Sequence, residues 1–254
     1  MTTAPRRASS PDPADYRGVV TTFSSRGLHG QLVEALGRRI VGGALAPGEI
    51  IDLNLLGAEF EVSRTVVREA VKVLLGKGLL DARPKHGTYV RERAAWNLLD
   101  PDVMQWRDAD GPDPTLLQEL EEVRQMLEPV AARIAAERGE EEHLSTMEAA
   151  LAEMERRDED ITLHIEADLR FHRAMAAATG NELLERLSGL LAPAQRSRDQ
   201  LVYQSGHDHD RRFITAHRLV LEAIRARDPE QAEAAMKRLL EEAAADSRAL
   251  LELD

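Results

Sequence analysis

Residues 62–71 read Val-Ser-Arg-Thr-Val-Val-Arg-Glu-Ala-Val, and the reading of the whole chain starts from them. Ser63 is an N-cap residue, whose hydroxyl can accept a hydrogen bond from an N–H left over in the first helical turn. Behind it Val66, Val67, Ala70, Val71, Leu74 and Leu75 can face inward, while Arg64, Thr65, Arg68 and Lys72 take the exposed side. The spacing predicts a helix from Arg64 to Lys77 that closes at Gly78. Upstream, a short helix is expected from Leu53 to Phe60. Before it Leu32, Val33, Leu36, Ile40 and Val41 mark a longer helix ended by Gly42-Gly43, and Ala46-Pro47-Gly48 makes a turn. Downstream, Leu79–Arg83 and Thr88–Arg91 are short strands joined through Pro84-Lys85-His86-Gly87.

Helix, short turn, helix and hairpin form the plan of a winged helix-turn-helix. A recognition helix brings its N-terminal residues to base edges, and arginine can pair bidentately with guanine. Arg64, Thr65 and Arg68 are therefore the expected DNA contacts, with Lys72 as a phosphate contact. The wing adds Lys85 and His86, and Gly87 permits close approach of the backbone to the duplex. Arg83 lies beside them.

The net charge of −12 sits oddly with DNA binding until it is divided along the chain. Residues 1–27 hold four Lys/Arg and two Asp/Glu, and residues 28–92 hold nine and eight, so the acidic excess belongs to residues 93–254. A near-neutral module with cations gathered on one face can bind phosphates, because the local field decides. There is no cysteine, which excludes disulfides and thiolate metal sites and agrees with a reducing cytoplasm. No run reaches the ~18 apolar residues of a membrane helix, and two N-terminal arginines without an apolar stretch do not make a secretory signal. The expected organisation is a disordered arm (1–25), a DNA-binding domain (26–92), a linker (93–113) and a helical domain (114–252). The fold class is mainly α.

The helical domain begins with Leu116, Leu120, Val123, Leu127, Val130 and Ile134 at helical spacing, with a kink expected at Pro129. Further helices are expected at about 141–157, 160–179, 181–203, 208–227 and 229–252. Asp168 and His172 stand i, i+4 and leave one helix face, beside Phe171 and Met175. His217 opens another helical stretch that can pack against theirs. Two imidazoles and a carboxylate from packed helices can hold a divalent metal of the zinc, nickel or manganese type and leave positions open. Isolated histidines of this kind are more often satisfied core or surface groups. The same trio is also the facial triad of non-haem iron oxygenases, which makes a metal-dependent enzyme the alternative. Such sites normally sit in β-rich barrels, and this half shows no strands. His164, one turn before Asp168, could substitute as a ligand but is expected to face solvent, and His207 and His209 to lie in a polar loop.

These motifs, in order, resemble the GntR family of bacterial regulators. Ala44-Leu45 with Pro47-Gly48, Val62 to Val71, Gly78-Leu79-Leu80 and Arg83 to Val90 carry the resemblance. Two positions depart from it: Asn54 where an arginine is usual, and Glu61 where the turn usually has glycine. The C-terminal half resembles the FCD ligand-sensing domain of the FadR subfamily. The matching segments are Arg124 to Pro129, Asp168 to His172, Thr179-Gly180-Asn181 and His217 with Asp228. The resemblance implies an all-α bundle of FCD type, a homodimer on double-stranded palindromic operator DNA, and repression relieved by a small effector. It also implies a fourth metal-ligand histidine, a position held here by Leu239. Arg124, placed in the pocket wall by the resemblance, is the expected partner of an effector carboxylate, with an ion pair to Glu121 or Glu128 as the other use of its charge; Arg196 is a second such cation. The segment Trp96 to Trp106 resembles the linker of sugar-acid regulators, which implies an aldonate such as galactonate or gluconate.

Overall fold

The structure is a computed structural model that describes residues 27–109, 111–156, 160–204 and 209–251. The expected N-terminal arm and His207 lie outside the described residues, as does the side chain of His209. Helices α1 (Gly27–Val41), α2 (Leu53–Glu59) and α3 (Arg64–Gly76) surround one core, closed by a small sheet. Strands β1 (Ile50–Ile51), β2 (Leu80–Arg83) and β3 (Gly87–Val90) lie in the order β1-β3-β2, both pairings antiparallel. Ser63 caps α3 as its position suggested, accepting from Val66 N–H at 3.3 Å, and Asp52 caps α2. Such caps each stabilise a helix by about 1 kcal/mol. Val67, Ala70, Val71 and Leu74 are buried against Leu32, Leu36 and Ile40 of α1. In the turn, Glu61 takes φ 52°, the left-handed conformation that glycine adopts at lower cost. β1 escaped the sequence reading because two isoleucines carry no alternation.

The linker expected at 93–113 contains a helix, which corrects that reading. Pro101–Arg107 forms α4, with Asp100 as N-cap accepting from Asp102 and Val103 N–H and Pro101 in the first turn. Its sides face two domains. Val103 and Trp106 are buried in the N-terminal core, while Met104 packs with Leu116, Leu120 and Ala194. The Trp106 ring lies where a Cβ at Gly37 would stand, and its Nε1–H donates to Glu34 at 2.9 Å. Lys77, just past α3, is buried. Its ammonium lies 2.7 Å from Asp100 and 2.6 Å from Asp102, and 5.7 Å from the Trp106 ring centre. Gly78 follows at φ 74°, and a Cβ there would stand 2.6 Å from the Ala95 carbonyl. The end of α3 is thereby fastened to α4.

The C-terminal domain is helical throughout its described residues: α5 (Pro114–Arg138), α6 (Glu141–Met154), α7 (Ile161–Ala178), α8 (Glu182–Gln204), α9 (His209–Arg225) and α10 (Pro229–Leu251). α5 continues through Pro129 as one 25-residue helix. Its core is rich in alanine (Ala131, Ala132, Ala135, Ala136, Ala167, Ala178), and small side chains let helix backbones approach closely. Met147, Met154, Phe171 and Met236 fill the larger spaces.

Candidate functional site

All seven expected DNA contacts lie on the surface. Arg64, Thr65, Arg68 and Lys72 are exposed on α3, and Lys85, His86 and Gly87 at the tip of the β2–β3 hairpin. The tip turns through Lys85 at φ 67° and Gly87 at φ 83°. Lys72 shares its charge with Glu69 at 2.7 Å, a solvated pair that phosphate can replace at small cost.

Asp168, His172 and His217 are buried and their ligand atoms lie within 4.8 Å of one another. α7 brings the first two out on one face, and α9 sets His217 across from them. Asp168 Oδ1 is 2.9 Å from His217 Nε2 and 3.5 Å from His172 Nε2, and the two Nε2 atoms are 3.3 Å apart. Ligand bonds of about 2.1 Å at tetrahedral to octahedral angles give ligand–ligand separations of roughly 2.9–3.5 Å, so these atoms fit around one divalent cation. Their outer partners agree. His217 Nδ1–H donates to the Phe213 carbonyl at 2.8 Å, which leaves a lone pair on Nε2. His172 Nδ1 lies 2.9 Å from Glu128, and Gln195 Nε2–H donates to Asp168 Oδ2 at 2.7 Å. Asp168 Oδ1 receives no aligned hydrogen bond, although His217 Nε2 is so near. The lone pairs converge on a third point.

The charges around that point are strongly shifted. Burial would raise the Asp168 carboxyl, yet His172 and His217 hold it well below the usual range. Burial would also lower His172, but Glu128 and Asp168 outweigh it and push the ring up to about 9. Glu128, itself penalised by burial, is brought down to about 2 by Arg124 and His172. His217 is lowered, chiefly by burial. His172 Nε2 also lies 3.1 Å from Arg124 Nη2, a contact that only the neutral ring can accept. Proton, guanidinium and metal are thus alternative cations for the same lone pairs.

Arg124 is buried, not superficial, and pairs with Glu128 at 2.7 Å. A cavity of about 400 Å³, counted with its open mouth, adjoins this group. Arg124, Glu128, His172 and Gln195 line it together with Leu127, Met175, Leu184, Leu187 and Leu191. Arg196 is not brought to it: its side chain is 39% exposed and pairs with Glu166 at 2.7 Å. Leu239 is buried in the core and offers no ligand atom. His164 packs edge-on against Tyr203 at 4.8 Å rather than facing solvent. The sequence reading missed Gln195 and the buried pair Arg198–Asp199. Gln195 and Asp199 stand i, i+4 on α8 as Asp168 and His172 do on α7, and that spacing was the available signal.

Residues 28–90 match the gntR family of bacterial regulatory proteins, and residues 119–242 match the FCD domain. The galactonate operon transcriptional repressor of Escherichia coli (strain K12) is 34% identical over 206 residues, 81% of this chain and 90% of its own. The HTH-type transcriptional regulator LutR of Bacillus subtilis (strain 168) is 34% identical over 204 residues, covering 78% and 90%. Among solved structures, Lar, which controls expression of the Listeria monocytogenes agr system, superposes with a TM-score of 0.64 at 20% identity. That match covers 89% of this chain and 98% of Lar, and speaks for the fold alone. These relatives are regulators, which sets aside the oxygenase reading of the His-His-Asp trio. The chain belongs to the GntR family, as a DNA-binding transcription regulator that carries an FCD domain for a small-molecule effector.

Proposed function

We propose that the protein is a homodimeric cytoplasmic repressor whose grip on a palindromic operator is relieved by a small sugar acid. In this reading Arg64, Thr65 and Arg68 reach base edges, while Lys72, Lys85, His86 and Gly87 hold the phosphate backbone. Asp168, His172 and His217 hold a divalent metal, and Arg124 supplies the counter-charge for an effector carboxylate. The observation that carries this is the convergence of three ligand atoms within 4.8 Å beside a buried arginine and a cavity. Three protein ligands leave coordination positions for a hydroxy-carboxylate, which can chelate. With Leu239 in place of a fourth ligand, metal affinity is modest. The aldonate class follows the likeness to the E. coli galactonate operon repressor. No helix among the described residues is long and apolar enough to cross a membrane, in keeping with action on DNA in the cytoplasm.

A ligand moves an equilibrium only through its different affinities for the two states. His172→Ala is therefore expected to abolish release by galactonate or gluconate while operator affinity stays within twofold of wild type. Dialysis against a chelator should mimic the mutation in a gel-shift titration. Full response of chelated protein would remove the metal from the switch.

A further inference from the structure

One turn beyond Gln195, about 6 Å along α8, stands Asp199. Because Gln195 bonds Asp168, this face of α8 looks toward the His-His-Asp cluster. Asp199 is 3% exposed, and Arg198 is its buried partner. Both arginine bonds fall on a single oxygen: Nε and Nη2 donate to Oδ1, the first at 2.8 Å. Oδ2 is buried and receives no hydrogen bond among the described residues. Burial above all, with Asp168 adding to it and Arg198 and Arg124 opposing, raises this carboxyl to about 6, so the field of the cluster reaches it. A buried carboxylate oxygen without a donor is costly, and a carboxylate can only accept. Among the described residues no O–H or N–H reaches it, and a bound hydroxyl compound would supply one.

We infer that Asp199 is a specificity residue of the effector site, whose Oδ2 accepts hydrogen bonds from hydroxyl groups along the effector's carbon chain. The inference rests on the effector reading above, in which the carboxylate end lies near Arg124, and it adds the direction of the rest of the molecule. The two directions along α8 differ in chemistry. Toward the helix N-terminus the cavity wall is Leu184, Leu187 and Leu191, with Ser188 as the only hydroxyl among its lining residues, and would favour an alkyl chain. Toward the C-terminus Asp199 stands one turn past Gln195, the last α8 residue lining the cavity, and calls for donors. A site built around an unpaired buried acceptor rejects analogues that lack the hydroxyl, because binding them leaves the acceptor unpaired and shut from water. Polyhydroxy acids are therefore preferred over plain 2-hydroxy acids.

The test titrates zinc-loaded, full-length protein with galactonate, gluconate and 2-hydroxyhexanoate by calorimetry. Wild type should bind one or both aldonates at least tenfold tighter than 2-hydroxyhexanoate, the scale of one charge-assisted hydrogen bond. Asp199→Asn should remove most of that preference by weakening the aldonates alone. The double variant Arg198→Met/Asp199→Leu removes the buried pair together, so it keeps the fold where a single truncation could lose it. It should bind the three acids alike. Zinc affinity without any acid should be unchanged in both variants. If zinc affinity falls, Asp199 is a metal ligand and the inference is overturned. Equal binding of 2-hydroxyhexanoate and the aldonates by wild type overturns it while leaving the carboxylate-effector reading intact. If none of the three acids binds, that reading falls and the inference falls with it.

Discussion

His172 holds one ring between three charged neighbours, and the readable and unreadable parts of the site meet there. Its i, i+4 relation to Asp168 was legible because both lie on one helix with Phe171 and Met175 marking the buried face. The α8 side was not. Arg196 drew attention as a cation, yet successive helical residues are rotated by about 100°, and the inward position belongs to its neighbour Gln195. Asp199, by contrast, shows itself through pH. Its folded value of about 6 lies above its ordinary 3.8, so its contribution to stability is fully present below pH 3.8 and is lost as pH rises through 6. In chelated protein, urea midpoints of Asp199→Asn should therefore fall less than those of wild type between about pH 4 and 6. Parallel curves would mean that the carboxyl titrates normally. At the DNA surface, Arg64→Ala and Arg68→Ala should each weaken operator binding by about 1–3 kcal/mol if they read bases. A loss equal on all sequences, with a flatter salt dependence, would assign them to phosphates. No loss on any DNA would mean that α3 is not the recognition helix.

Among elements, α4 belongs to both domains. Its seven residues span less than two turns, too short for periodicity to register. Asp100-Pro101 was nevertheless a legible start signal, an N-cap followed by proline in the first turn, inside the stretch expected to be a linker. By comparison α3 and α7 were plain, being long, capped or strongly patterned. α4 touches the end of α3 through Lys77 and touches α8 through Met104 and Ala194, one residue from the Gln195 that bonds Asp168. Lys77→Met removes the cation shared by Asp100 and Asp102 and leaves two largely buried carboxylates facing each other. Breaking a buried pair by one partner costs about 3 kcal/mol or more. The variant should melt at lower temperature, and its operator affinity should respond less to the effector. If the melting point drops while the effector response is unchanged, the Lys77 contact serves stability and carries no signal. Gly37→Ala tests the same junction from α1, since its methyl would displace the Trp106 ring; overpacking of this kind costs about 1–3 kcal/mol.

For the whole molecule, the division of charge constrains how it meets DNA. Residues 1–92 carry +3 and residues 93–254 carry −15, so the helical domain is repelled by phosphate and the N-terminal domain must make the approach. This split was readable from counting alone, whereas the packing of one domain on the other needed α4. A single module of this size presents one α3 and one wing, too few contacts for specific operator binding on their own. Pairing two chains places two recognition helices in successive major grooves, about 34 Å apart on one face of the duplex. Two consequences follow together. Light scattering at micromolar concentration should give twice the 28.2 kDa chain mass. Inserting about half a helical turn between the half-sites should reduce affinity to that of one half-site, because the second α3 then meets the wrong face. A monomer in solution that binds the lengthened operator undiminished would refute both the dimer and the palindrome, and would require the acidic domain to reach DNA against its own field.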